Sequence, residues 1–213
     1  MKRFVLTLAV IFVAWGGSPA VAETSPDKAK AFISGISGQA LKVLRADGVP
    51  LSGKEEQVRS LLAQNIDVDQ IGRFVLGRAW RNASAEHQNQ FQTLFREFVL
   101  RIYSRRLGAY TGETFEIVGA RSVGKRDVLV STRISRTSGP PIEVGWRVRN
   151  GPKGHKILDV VISGVSMAVT QRSEFRSVLS KQGMEGLIQL LRVQVSKLAA
   201  ASRPTSGASS AAK

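Results

Sequence analysis

The apolar residues of this chain change their spacing twice, and that limits the folds open to it. In the first half they recur every three to four residues, as on one face of a helix. Phe32, Ile33, Ile36, Ala40, Val43 and Leu44 form one such face, ended by Gly48-Val49-Pro50; Val58, Leu61 and Leu62 mark a second, shorter helix. Asp67 is placed to cap a third, which carries Ile71, Phe74 and Val75 and closes at Gly77. The longest stripe follows Ser84, a good N-cap with Glu86 in the first turn. It runs Phe91, Leu94, Phe95, Phe98, Val99, Ile102 and Tyr103 and ends at Gly108; Arg96, Arg101, Arg105 and Arg106 lie off it.

The spacing then becomes two, which predicts strands over 114–120, 127–136, 142–149 and 155–165. Val128, Val130, Thr132 and Ile134 share a face of the second strand. On the third, Ile142, Val144, Trp146 and Val148 point one way, and Glu143, Gly145, Arg147 and Arg149 the other. Short connections, among them Gly139-Pro140-Pro141 and Asn150-Gly151-Pro152-Lys153-Gly154, argue an antiparallel meander. Helices return afterwards: Phe175, Val178 and Leu179 mark one that closes near Gly183, and Leu187, Ile188, Leu191, Val195 and Leu198 mark another. Helices, then strands, then helices make an α+β fold. A curved antiparallel sheet of about four strands, apolar on one face and cradled by amphipathic helices, encloses a cone that either side chains or a ligand can fill.

The first residues read as an export signal. Lys2 and Arg3 precede an apolar run from Phe4 to Trp15, and Ala20-Val21-Ala22 is a small-residue cleavage site, so residues 1–22 are expected to be removed by the Sec route. The run is too short to span ~30 Å of hydrocarbon, and no later stretch is long and apolar enough to do so. The chain has no cysteine, so lipoprotein attachment and disulfides are both excluded. Residues 23–201 suit a single domain, and residues 202–213, made of Ala, Ser, Gly, Pro, Thr, Arg and Lys, suit a disordered tail. Removing Lys2 and Arg3 from a net charge of +15 leaves +13, which draws the mature chain to anionic surfaces. Outside the cytoplasm the abundant polyanions are lipid headgroups rather than nucleic acid. The Lys and Arg residues are also not interleaved with exposed aromatics along one strand, as single-strand binding requires.

Few residues offer chemistry. His87 and His155 are the two histidines, neither with a second ligand at metal-binding spacing, so no metal or other cofactor is expected. Gly164-Val165-Ser166 lacks the closing glycine of a nucleophile elbow, and no phosphate-binding glycine loop is present. Asp159 interrupts the apolar run Ile157-Leu158-Asp159-Val160-Val161-Ile162. A carboxylate inside a cone could act as a base. Pairing with an arginine or capping a loop is the plainer role.

Several segments are similar to the MlaC-like family, also called toluene-tolerance auxiliary proteins. Phe74-Val75-Leu76-Gly77-Arg78-Ala79-Trp80-Arg81-Asn82-Ala83-Ser84 resembles its "vLG-x-x-W-R-x-A-S" segment, and Tyr110-Thr111-Gly112-Glu113-Thr114-Phe115 its "Y-x-G-e-x-f" segment. Lys156-Ile157-Leu158-Asp159-Val160, followed by Gly164-Val165-Ser166-Met167, resembles "W-K-I-x-D-v…eGVS", and Phe175 with Gly183 to Leu191 resembles the closing stretch. The motifs stand in the family's order over roughly residues 28–198. The chain departs at His155, where the family often has Trp, at Ala79, which replaces a frequent aromatic, and at Ser163, which replaces the usual Glu.

The resemblance implies an NTF2-like cone and a periplasmic lipid carrier rather than an enzyme. Such carriers hold phospholipid acyl chains in an apolar cavity and shuttle lipid between an outer-membrane lipoprotein complex and an inner-membrane lipid ABC transporter complex. A sister group carries hopanoids, and an enzyme in the same cone with Asp159 as base is the other alternative. The expected lipid-binding residues are Phe74, Val75, Leu107 and Tyr110 from the helical half, and Val144, Trp146, Val148, Val160 and Ile162 from the sheet. Val165, Ser166 and Met167, which match the family's Gly-Val-Ser segment, are expected near the mouth. A ferry of this kind works as a monomer.

Overall fold

The computed structural model describes residues 24–108, 112–136 and 138–202. The expected signal peptide, Tyr110 and the tail beyond Ser202 lie outside the described residues. Five helices come first: α1 (Pro26–Leu44), α2 (Leu51–Asn65), α3 (Val68–Leu76), α4 (Arg78–Asn82) and α5 (Ala85–Gly108). Strands β1 (Thr114–Val123), β2 (Asp127–Ser135), β3 (Ile142–Gly151), β4 (Gly154–Ile162) and β5 (Val165–Ser166) follow, and α6 (Met167–Ala201) closes the chain. No helix among the described residues is long and apolar enough to cross a membrane.

Local chemistry accounts for the helix limits. Proline stands at the start of α1, where its missing N–H costs nothing. Asp67 Oδ1 accepts from Gln70 N at 3.0 Å, and Ser84 Oγ from His87 N at 3.2 Å, so both expected caps are made. Gly77, with φ 57° and ψ −116°, ends α3 and starts α4 in a conformation that side chains resist. A Cβ at Gly77 would also meet an Arg172 guanidinium nitrogen at 3.0 Å. The Leu-Gly-x-x-Trp segment therefore builds a helix corner. Gln88 Nε2 donates to the Trp80 carbonyl at 2.8 Å and holds that corner against α5. At Gly183 the predicted break becomes a kink (φ 67°, ψ −167°) inside α6. That helix begins earlier than its apolar pattern suggests because Ser166 caps it, accepting from Val169 N at 3.1 Å.

The sheet is a five-stranded antiparallel meander in the order β1-β2-β3-β4-β5. The predicted fourth strand splits, because Ser163 (φ 48°) and Gly164 (φ 84°) turn the chain back to form the two-residue β5. β1 and β4 each carry a bulge, at Val118 and Leu158, where the register slips by one residue. Bulges sharpen twist and curve a sheet. The one in β1 also disrupts a long edge strand that could otherwise recruit a foreign strand.

Helices cover one face of the sheet. Val128, Val130, Val148 and Ile157 are sealed into a core with Ala29 and Ile33 of α1 and Leu62 of α2. Phe91 and Phe95 of α5 stack at 5.2 Å, and Phe175 of α6 meets both edge-on at 6.1 and 6.0 Å. Because α2 packs on one flank of α5 and α6 on the other, Leu100, Ser104 and Gly108 are buried beside the predicted stripe.

Candidate functional site

The inner face of the sheet carries an apolar wall that its helices only partly cover. The register sets Val130, Trp146 and Val160 side by side in one row, and Thr132, Val144 and Ile162 in the next. Ile134 stands beside Ile142, and β1 adds Phe115 next to Ile134 and Ile117 next to Thr132. Toward the β1–β2 and β3–β4 turns this face is closed over by helices. Toward the other end Phe115, Ile117, Ile134, Ile142, Trp146, Val160 and Ile162 are only half-buried. A contiguous apolar surface left partly open in this way is characteristic of a ligand or interaction site.

Trp146 is held in place by Thr132. The fully buried Thr132 hydroxyl donates to the Val144 carbonyl at 3.0 Å and accepts from Trp146 Nε1 at 2.9 Å. The indole N–H is thereby satisfied against the sheet, and the ring presents its apolar part. Beside this wall, between α1 and β1, lies a cleft of about 380 Å³ lined by Ser34, Ser37, Gly38, Leu41, Phe115 and Ile117. The repeated Ile-Ser-Gly at residues 33–38 makes it: the isoleucines pack on the core, and the small residues leave space over β1. The spacing of large apolar residues does not reveal this lining; the Ile-Ser-Gly repeat does.

Asp159 is occupied. Its Oδ2 accepts from Ser166 Oγ at 2.5 Å and its Oδ1 from Ala168 N at 3.0 Å, so it ties β4 to the N-terminus of α6. This is the capping role that the sequence favoured for it. Nearby, burial pushes the Tyr103 hydroxyl above its ordinary pKa; the positive charge of Arg106 opposes that, and Asp159 and Glu174 add to it. Tyr103 is thus a neutral hydroxyl at ordinary pH.

The expected binding residues within the described segments fall into four groups. Val144, Trp146, Val148, Val160 and Ile162 all share the inner face; Val148 and Val144 are sealed, and the other three are half-buried. Val75 is core. Phe74 and Leu107 stand at the surface, 43% and 38% exposed. Phe74 falls outside the Val68–Gly72–Val75 stripe by which α3 packs, and the Arg172 guanidinium lies 4.9 Å from its ring centre. Leu107 is in the last turn of α5. At the start of α6, Val165 is exposed, Met167 is half-buried and Ser166 is tied to Asp159. Arg147 and Arg149 occupy the outer face, where both grip Asp127.

The sequence profile described as MlaC protein matches residues 35–193, from within α1 to within α6. The chain belongs to the MlaC family. A Haemophilus influenzae relative in that family, the intermembrane phospholipid transport system binding protein MlaC, is 27% identical over 144 residues, 66% of this chain and 67% of its own length. A solved phospholipid-binding protein from Ralstonia solanacearum, in complex with a phospholipid, is 28% identical. It matches with a TM-score of 0.71 over 80% of this chain and 98% of its own. The MlaC match takes in the whole sheet, α2 to α5, and parts of α1 and α6.

Proposed function

We propose that this chain is a periplasmic phospholipid carrier of the MlaC kind, exported by its N-terminal signal, and not an enzyme. The observation that carries the reading is the half-covered apolar wall of Trp146, Val160 and Ile162, continuous with sealed core on one side. Acyl chains lie against that wall, and Leu107, Val165 and Met167 border its rim. Two acyl chains hold on the order of 30 methylenes worth ~0.8 kcal/mol each, roughly 24 kcal/mol of transfer free energy gross. A dry wall returns most of this without any reacting group. Release into water is then slow, and lipid is handed over only where the carrier docks, at outer-membrane and inner-membrane transport complexes.

Native mass spectrometry of the mature protein, with extraction and identification of bound lipid, tests this. Bound diacyl phospholipid is expected. Bound hopanoid would move the chain to the sister group, and an empty protein that takes up no lipid from vesicles would overturn the reading. Trp146→Asp places a charge in the wall and is expected to strip bound lipid, while Trp146→Phe keeps most of it. Unchanged lipid in a folded Trp146→Asp protein would remove Trp146 from the wall.

A further inference from the structure

A cluster of positive charge stands at one end of the sheet. In an antiparallel meander the β1–β2 and β3–β4 turns share an end, the one where helices seal the inner face. These turns carry Lys125, Arg126 and Lys153, and the adjoining strands carry Arg121, Arg147 and Lys156 on the outer face. All but Lys156 are exposed. Thr24 binds the start of α1 to the same end: its hydroxyl donates to the Arg126 carbonyl at 2.6 Å and accepts from Asn150 N at 2.8 Å.

Little negative charge offsets this cluster. Asp127 is buried beneath Arg147 and Arg149. Among the described residues Arg121, Lys125, Arg126 and Lys153 form no ion pair. At the opposite end of the sheet Arg133 is paired with Glu143 at 2.9 Å, Glu116 adds negative charge and Arg136 positive, and Asp159 stands mid-sheet across from Arg147.

We propose that this turn end is an electrostatic landing surface for an anionic phospholipid bilayer. Its form fits a bilayer better than a folded protein. A protein interface is built around an apolar or aromatic anchor in a pocket, and none of the large exposed apolar residues lies in these two turns. Exposed cationic tips spread over two adjacent hairpins suit a diffuse field of headgroups, and without a wedge residue they adsorb without inserting. Adsorption by this end keeps the half-covered wall, at the other end of the sheet, turned away from the bilayer and free for a partner. The proposal is independent of what the wall holds.

The test is co-sedimentation of the mature protein with vesicles of phosphatidylcholine alone and of phosphatidylcholine mixed with phosphatidylglycerol, over a series of salt concentrations. Binding is expected only to the anionic vesicles and is expected to weaken with salt. The triple variant Lys125→Glu/Arg126→Glu/Lys153→Glu is expected to lose affinity by on the order of a hundredfold or more. The control Lys181→Glu/Arg192→Glu/Lys197→Glu has the same net charge but reverses exposed residues of α6, and it is expected to stay within about threefold of wild type. Circular dichroism melts establish that both variants fold. Equal losses in the two variants would show net charge acting without a surface, and a wild type that ignores anionic vesicles would show no adsorption; either result overturns the proposal.

Discussion

Asp127→Ala probes the joint that holds β2 to β3 on the outer face. Asp127 is 3% exposed, and its carboxylate accepts from Arg147 Nε at 2.6 Å, Arg149 Nε at 2.5 Å and a terminal nitrogen of Arg149 at 2.9 Å. Hydrogen bonds to charged groups are worth about 1.5–3 kcal/mol each, and three at face value would overshoot. The arginine side chains are 44% and 21% exposed and regain water when the carboxylate is gone. The expected loss is therefore about 2–3 kcal/mol, at or below the low end for breaking a buried pair. In a domain of this size that lowers Tm by about 5–10 °C. Urea unfolding followed by circular dichroism reads the loss directly.

The pH dependence of that loss has a definite sign. Burial pushes the Asp127 carboxyl up, but hydrogen bonds from Arg149 and Arg147 outweigh it and hold the group below its ordinary range. A depressed folded pKa gives stability that is present above the unfolded value of about 3.9 and lost as pH falls through the folded one. The gap between wild type and Asp127→Ala is expected to hold constant from about pH 7 to about pH 5 and to narrow below about pH 4. A loss under about 0.5 kcal/mol, or a gap that does not narrow in acid, would refute the assignment.

Two further expectations concern the core. The His155 ring packs 5.6 Å from Phe32, and its Nε2 is buried with no hydrogen-bond partner among the described residues. Burial, assisted by Lys28, holds its pKa below the usual histidine value, so the folded state keeps it neutral. Stability is then full above about pH 6.5 and falls as pH drops toward the lowered folded pKa; His155→Phe is expected to flatten that slope between about pH 7 and about pH 5, and an unchanged slope in urea titrations would count against it. Phe175→Ala empties the edge-on contact with Phe91 and Phe95 and is expected to cost about 3–5 kcal/mol in urea unfolding; a cost below about 1 kcal/mol would mean that α6 is not fastened there.

Much of the secondary structure was legible because it rests on neighbours in sequence. The period shift after Gly108 marks the change from helix to strand, Asp67 and Ser84 cap the helices they were expected to cap, and the strand starts at Thr114, Asp127 and Ile142 coincide with those expected. Spacing also put Val144, Trp146 and Val148 on one face, since alternation along a strand is a local property. Periodicity reports the direction in which a side chain leaves its own element. It does not report what lies above. Val148 and Trp146 point the same way, yet helices seal the first and leave the second half-covered. Phe74 and Val75 are equally apolar, and only the way α3 meets α6 puts one outside and the other in the core. Asp127 and Arg149 are separated by 22 positions, and Asp159 and Ala168 by 9, so their bonds exist only once the strands are in register and α6 has docked. The sequence by itself determined the elements, their order and the apolar face of each. The tertiary structure decided which part of that face stays open, because closure depends on the size and angle of elements packed from elsewhere in the chain.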